Sequence, residues 1–146
     1  MPVTVITIID DCGGLMFHNR RQSQDRILRQ RICQLAAGKR LWMNAYSARL
    51  FAGDDCSAVQ IITAEDFLLR AAAGDFCFVE TLPLQPCQHR IEKLILFHWN
   101  RRYPADLRFD LDLSDWLQEG QEEFSGSSHP LITMEIYRHP EYGKKE

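Results

Sequence analysis

The sequence predicts a single α/β domain over residues 1–146, with a mixed, mostly parallel central sheet flanked by helices and an antiparallel strand pair at the C-terminus. Short apolar runs alternate with amphipathic segments over the first hundred residues, an order typical of parallel βαβ units. Two more strand-like runs, 116–124 and 131–139, follow each other closely, which favours antiparallel pairing. A chain of 146 residues is long enough for one core and too short for two.

The elements of the first half are marked by apolar runs and by capping residues. Ser23 and Asn44 are plausible N-caps, because their side-chain oxygens accept hydrogen bonds from the first turn of a helix. Gly38 is a plausible helix stop. We therefore predict a strand over 3–9, a helix over 22–37, a strand over 40–43 and a helix over 44–51.

The second half continues in βαβ order and then changes to strands alone. Thr63 is positioned to begin a short helix, and the apolar runs on either side of that helix are short enough to be buried strands. We predict a strand over 58–62, a helix over 64–72, strands over 76–80 and 91–99, and the antiparallel pair over 116–124 and 131–139.

Composition and charge exclude several classes of protein. Hydrophobic residues make up 45% and charged residues 25% of the chain, which are the proportions of a folded soluble domain. The net charge of -3 gives no overall attraction to nucleic acid or to an anionic membrane, so we expect neither as a partner. No apolar run reaches the roughly 20 residues that span a bilayer, and the N-terminus lacks the basic segment of a signal peptide.

The cysteines and histidines do not form a recognisable metal or disulfide pattern. The five cysteines are an odd number without a CxxC pair, so we expect neither a disulfide framework nor a structural zinc, and a reducing cytoplasm is the simplest location. Cys12 follows the first strand, where a reactive thiol would be accessible, although a lone loop cysteine usually has no such role. The histidines also lack the spacing of metal ligands, so we expect no bound metal. They are His18, His89, His98, His129 and His139.

The C-terminal third reads IEKLILFHWNRRYPADLRFDLDLSDWLQEGQEEFSGSSHPLITMEIYR, with Ala105 and Asp106 in a turn and Phe109 and Trp116 after it. This order resembles the end of dihydrofolate reductases, which have Gly-Asp where Ala105 and Asp106 stand and a phenylalanine and a tryptophan that match Phe109 and Trp116. In the N-terminal half, TVITIIDDCGGLM, SQDRILRQRI and RLWMNAYSARLF are similar to the family's first strand and loop, first helix, and second strand and helix. The resemblance covers nearly the whole chain and implies the dihydrofolate reductase-like fold.

The same resemblance implies that the NADPH site is lost. Glu80 and Thr81 stand where the family has the Gly-Gly that approaches the cofactor pyrophosphate, and a carboxylate there would repel it. Ala45 replaces an arginine that contacts a cofactor phosphate, and only Ser47 keeps its hydroxyl. We therefore expect no cofactor, and we expect Glu80 to face the former nucleotide cleft; the alternative is a strand-capping residue at the surface.

Asp25 matches the family's carboxylate that anchors the pterin and assists proton delivery, so the resemblance implies a catalytic role. The residues add an independent argument, because Asp25 lies three and seven positions before Leu28 and Ile32 on one apolar stripe. A carboxylate on that stripe is expected to have a raised pKa unless a cation pairs with it. The alternative is a structural residue that interacts with the helix dipole and Arg29.

The pocket that would hold folate is also altered. Arg29 and Arg26 replace an aromatic residue and its apolar neighbour, and Phe97 replaces a threonine that supports the acid. Folate reduction is therefore not expected, and a mixed-charge cleft would suit a small polar or heteroaromatic ligand. The residues that the resemblance implies for ligand binding are Ile6, Arg26, Arg29, Asn44, Ser47, Glu80 and Phe97.

The sequence is compatible with two classes of function. The first is a small-molecule binding protein, or an enzyme of unknown chemistry, that uses the cleft around Asp25; its ligand is unknown. The second is a non-catalytic interaction or regulatory module that binds a protein partner, or a second copy of the chain, through the basic helix 21–31. A solvated face is the ordinary alternative for that basic run.

Overall fold

A computed structural model describes residues 3–10, 13–17, 20–21, 25–52, 58–100 and 107–140. The helices of these segments are α1 (Arg26–Leu35), α2 (Ala45–Leu50), α3 (Phe67–Arg70) and a 3₁₀ helix (Gln85–Arg90). The strands are β1 (Val3–Ile9), β2 (Gly14–Phe17), β3 (Arg20–Arg21), β4 (Arg40–Met43), β5 (Gln60–Thr63), β6 (Phe76–Phe78), β7 (Ile91–His98), β8 (Leu107–Arg108), β9 (Leu117–Phe124) and β10 (Ile132–Arg138).

Seven strands form the central sheet, in the order β5-β4-β6-β1-β7-β10-β9. The first five are parallel to one another, while β10 is antiparallel to both β7 and β9. The parallel neighbours are joined through helices, as parallel pairs require. The structure thus confirms the mostly parallel sheet and the antiparallel pair at the C-terminus that the sequence predicts. A smaller sheet has the order β3-β2-β8.

The core lies on both faces of the central sheet, because successive side chains of β1 point to opposite sides. Val3 and Val5 face a cluster that contains Phe67 of α3 and Trp116. Ile6 faces the other cluster, to which α1 contributes a buried stripe of Leu28, Ile32 and Cys33. The helices therefore cover the two faces of the sheet from opposite sides.

The structure confirms most predicted elements and corrects two helices. β1 and β4 have the predicted bounds, and Asn44 is the N-cap of α2. The first helix begins at Arg26, with Asp25 as its N-cap, and not at residue 22. The helix predicted over 64–72 is one turn, α3, whose end is held by the Arg90 guanidinium, which donates to the carbonyls of Leu68 and Ala71.

Several residues named above lie outside the described part of the chain. These are Cys12, His18, Ser23, Ala105 and Asp106. The backbone of Arg21 belongs to β3, so the basic helix expected over 21–31 is shorter and does not include Arg21. Within the described segments, no helix has both the length and the apolar character needed to cross a membrane.

Strand β9 forms one edge of the central sheet, and it is largely exposed along its eight residues. It carries Glu119, Glu122 and Glu123. Glu119 pairs with Arg138 of the adjacent strand β10 and with Lys93 of β7, and Glu122 pairs with Arg31 of α1 at 2.9 Å. The edge is therefore acidic and is joined to the sheet and to α1 by ion pairs.

Candidate functional site

The carboxyl ends of β4 and β6 bring together four of the polar residues that follow these strands. Because the two strands are parallel neighbours, the segments after them leave the sheet at the same edge. Asn44 caps α2 by accepting from the backbone N–H of Ser47 at 2.9 Å, and its amide donates to Oγ1 of Thr81 at 2.9 Å. The predicted grouping of Asn44, Ser47 and Glu80 is therefore present in the structure.

Glu80 is buried, with 8% of its surface exposed, so it is not a strand cap at the surface. Its Oε1 accepts a hydrogen bond of 2.7 Å from the Ser47 hydroxyl, which is itself buried. A second carboxylate, that of Glu65, accepts from the backbone N–H of Ala45 at 3.0 Å. The first turn of α2 thus directs polar hydrogens at two carboxylates of the chain itself.

Asp25 is fully enclosed, since its side chain has 0% exposure. As the N-cap of α1, its Oδ1 accepts from the backbone N–H of Leu28 at 3.1 Å and of Ser127 at 3.0 Å. Its Oδ2 accepts from the backbone N–H of Ser128 at 2.8 Å and from the Ser128 hydroxyl at 3.1 Å. Both oxygens are therefore occupied by donors from the protein.

The electrostatics of Asp25 differ from the expectation. Burial by itself would raise the pKa of this carboxyl, but the hydrogen bonds from the backbone N–H groups of Ser127, Ser128 and Leu28 and from the Ser128 hydroxyl hold the pKa well below its usual range. The expected raised pKa is wrong, because these hydrogen bonds outweigh the effect of burial. The inward position in the first turn belongs to Leu28, which is 1% exposed.

A loop between β9 and β10 encloses Asp25, and the sequence does not predict this contact. Gly126 and His129 close the loop through a hydrogen bond of 2.8 Å from the Gly126 N–H to the His129 carbonyl. The His129 ring lies 3.5 Å from Oδ2 of Asp25 and stacks on Trp99 at a centroid separation of 4.3 Å. The glycine and serines of FSGSSHP indicate a turn, but no local pattern shows that it contacts residues a hundred positions earlier.

The remaining predicted site residues lie in the core or on α1. Ile6 and Phe97 are 0% exposed and pack in the cluster that faces α1. Arg26 is exposed, and its backbone N–H donates to the Ser127 hydroxyl at 2.9 Å, while Arg29 is half-buried one turn later. The structure therefore separates the predicted set into a group around Ser47 and Glu80, a group around Asp25, and two core residues.

The chemistry available to these groups is limited by their mutual hydrogen bonds. Asp25 is held in its ionised form by donors, which is the opposite of what a proton donor near neutral pH requires. Among the described residues, no three His, Cys, Asp or Glu side chains are grouped so that they would hold a metal ion. The described site thus consists of polar groups at the starts of α1 and α2 that are hydrogen-bonded to other groups of the protein.

The comparisons with known proteins concern the fold. The sequence matches no protein-family model and no curated protein. In structure, the chain is similar to dihydrofolate reductase from Enterococcus faecalis complexed with NADP(H) and RAB-propyl, at a TM-score of 0.67 and 9% identity, covering 94% of this chain and 95% of that one. The chain therefore has a dihydrofolate reductase-like fold, as the resemblance implies.

Proposed function

We propose that this protein is a binding module with a dihydrofolate reductase-like fold that neither binds NADPH nor reduces dihydrofolate. The observation that carries the proposal is the buried hydrogen bond between Ser47 and Glu80 at the carboxyl ends of β4 and β6. Ligands of open α/β sheets bind outside the carboxyl ends of the strands, so this carboxylate lies at the edge that a nucleotide would need.

Charge and shape both oppose a phosphate at this edge. One carboxylate and one phosphate charge separated by about 4 Å repel each other by about 4 kcal/mol at an effective dielectric constant near 20. Glu65 adds a second carboxylate at the start of α2. The side chains of Glu80 and Thr81 fill space that glycines would leave open, and Thr81 is bonded to Asn44.

The state of the Asp25 carboxylate supports the same proposal. Asp25 is enclosed and strongly hydrogen-bonded, and the buried position of the first turn of α1 carries the apolar side chain of Leu28. A small ligand that needs contact with the Asp25 carboxylate would first have to displace the loop residues Ser127 and Ser128. This arrangement favours a non-catalytic role over unknown chemistry around Asp25.

The test is calorimetric titration of the purified chain with NADPH, together with an assay of NADPH oxidation in the presence of dihydrofolate. We expect no saturable heat at millimolar NADPH and no oxidation above the buffer rate. The double variant Glu80→Gly, Thr81→Gly removes the charge and both side chains, and we expect it to regain only weak binding because Ala45 supplies no cation. Saturable NADPH binding by the unmodified chain with a Kd of about 1 mM or below would overturn the proposal.

A second candidate role, recognition of an acidic protein segment by α1, is favoured by one observation. Arg26 and Arg29 are one turn apart; Arg26 is exposed and Arg29 half-buried. Arg31, two residues after Arg29, pairs with Glu122 and lies 4.3 Å over the Phe124 ring, so the exposed Arg26 is the position to test. Binding of a fluorescent decaglutamate peptide at low salt tests this role: Arg26→Glu should weaken it at least fivefold, whereas Arg70→Glu on α3 is the matched control. Equal effects of the two variants would contradict a role for α1.

A further inference from the structure

A cavity of about 530 Å³ lies at the opposite end of the sheet from Ser47 and Glu80. It is formed where β7 begins and β10 ends, since these strands are antiparallel and Arg138 is in register with Lys93. Its volume is in the range of cavities that hold small molecules. The lining residues are Gln88, His89, Asp112, Asp115, Trp116, His139 and Pro140.

Three separate segments form the walls, and hydrogen bonds fix each of them to the rest of the fold. The backbone N–H of His139 donates to the Glu92 carbonyl at 2.9 Å, which extends the pairing of β10 with β7 by one residue. The carboxylate of Asp110 accepts from the backbone N–H of Leu84 at 2.9 Å and of Gln85 at 3.1 Å. These contacts join the loop after β8 to the start of the 3₁₀ helix, so the cavity is formed before any ligand arrives.

The lining has an anionic part and an aromatic part. Asp112 and Asp115 are exposed, and no lysine or arginine is among the described residues that line the cavity. Hydrogen bonds from the backbone N–H and the hydroxyl of Ser114 keep the pKa of Asp112 below its usual range, so Asp112 is ionised at neutral pH. Trp116 is anchored in the core, with its ring 4.8 Å from that of His139.

We propose that this cavity binds a small organic cation that carries a planar group, with Asp112 and Asp115 facing its charge and Trp116 contacting its plane. A cation near an indole ring is attracted by the ring's quadrupole, and the carboxylates add Coulomb attraction. A flat amidinium or an arylalkylamine meets both requirements. A metal ion does not fit the same residues, because the described part of the chain contains no group of three His, Cys, Asp or Glu side chains placed to coordinate one.

The experiment is a calorimetric titration of the full chain with benzamidine, a planar amidinium, at low and at physiological salt. We expect one saturable site, with affinity that falls as salt rises because the carboxylates contribute. Asp112→Asn and Asp115→Asn should each weaken binding about threefold to tenfold, and Trp116→Phe should weaken it while the carboxylates remain. Asp112→Asn keeps the oxygen that accepts from Ser114, so the turn at Asp112 is preserved.

Controls separate this site from a general effect of negative charge. Asp66→Asn removes a carboxylate that is 59% exposed on another part of the surface, and it should leave benzamidine binding unchanged. Benzamide, which has the same shape without the charge, should bind at least tenfold more weakly than benzamidine. No saturable binding at about 10 mM, equal binding of benzamide, or an effect of Asp66→Asn equal to that of Asp115→Asn would each overturn the proposal. None of these outcomes depends on the NADPH result.

Discussion

Gly126 lies so close to Asp25 that a Cβ atom at residue 126 would be 2.8 Å from Cγ of Asp25 and 2.7 Å from Cδ1 of Ile132. The Asp25 carboxylate cannot move aside at low cost, because four donors hold it in place. The loop after β9 and the start of α1 therefore fit together only if residue 126 has no side chain.

This contact predicts the effect of Gly126→Ala. We expect the free energy of unfolding to fall by about 1–3 kcal/mol, since the added methyl group must displace either the carboxylate or the Ile132 side chain. Urea unfolding followed by circular dichroism measures the change. Gly120→Ala is the matched control, because its nearest neighbour, Cδ1 of Ile136, would lie at an ordinary 3.8 Å. Equal stability of the two variants would contradict the close contact.

The hydrogen bonds of Asp25 predict a loss of stability in Asp25→Asn. The asparagine amide would direct hydrogens at the N–H groups of Ser127 or Ser128, so we expect a loss of about 1–3 kcal/mol at pH 7. The position of Asp25 on a buried stripe, as the sequence suggests, would instead predict an unchanged or increased stability, because a desolvated charge would be removed. Urea unfolding at pH 7 distinguishes the two outcomes.

The lowered pKa of Asp25 also predicts a pH dependence. A carboxyl whose folded pKa is below its unfolded value of about 3.9 stabilises the fold fully above that unfolded value, and the contribution is lost as pH falls toward the folded pKa. The stability difference between the unmodified chain and Asp25→Asn should therefore be constant from pH 7 to about 5 and shrink below about pH 4. A difference that grows in acid would contradict the assignment.

Asn44 links α2 to the segment after β6. Its substitution should separate the stability that comes from the helix cap from the stability that comes from the bond to Thr81. Asn44→Ala removes both the N-cap bond to Ser47 and the bond to Thr81, so we expect a loss of about 1–2 kcal/mol. Asn44→Ser keeps a capping oxygen but lacks the amide that donates to Thr81, and it should recover most of the loss. Thermal unfolding of the two variants measures the two losses of stability. Equal losses would show that the cap contributes little to stability.

The thiols are expected to differ sharply in reactivity. Burial, with a further effect of the nearby Asp75 carboxylate, raises the pKa of Cys77 to about 12, and the side chain is 0% exposed. Cys87 is half-buried. Iodoacetamide at pH 8 followed by peptide mass spectrometry should label Cys87 well before Cys77, and Cys77 should react only in denaturant. Comparable labelling of the two in the native protein would contradict the burial of β6.

The parts of the fold that the sequence predicts correctly are those with local causes. β1 and β4 are recognised from short segments rich in apolar residues, and Asn44 from its capping side chain. The start of α1 is different, because Ser23 and Asp25 are both competent N-caps. The choice between them depends on the loop at 126–129, which donates to Asp25 from a hundred residues away. The short α3 likewise depends on Arg90, which binds the carbonyls at its end.

The residues of the candidate site likewise divide into those that the sequence predicts and those that it does not. The grouping of Ser47 and Glu80 is predictable from the resemblance, which places both residues at the former nucleotide cleft. The partners of Asp25 are not predictable, since hydrophobic spacing assigns a residue to a helix face only if the residue lies inside the helix. Asp25 lies one residue before the helix, so it accepts hydrogen bonds as the N-cap, and Leu28 occupies the inward position of the first turn.

The acidic strand β9 also affects how the protein behaves at high concentration. Exposed edge strands are templates on which further chains can pair, and continued pairing leads to fibres. A second β9 added to the edge would bring the glutamates of two chains side by side, and Glu119 and Glu122 are already matched to cations within their own chain. Because β9 itself carries no lysine or arginine, glutamates would meet glutamates between the two strands, and this repulsion disfavours addition of a further strand at this edge.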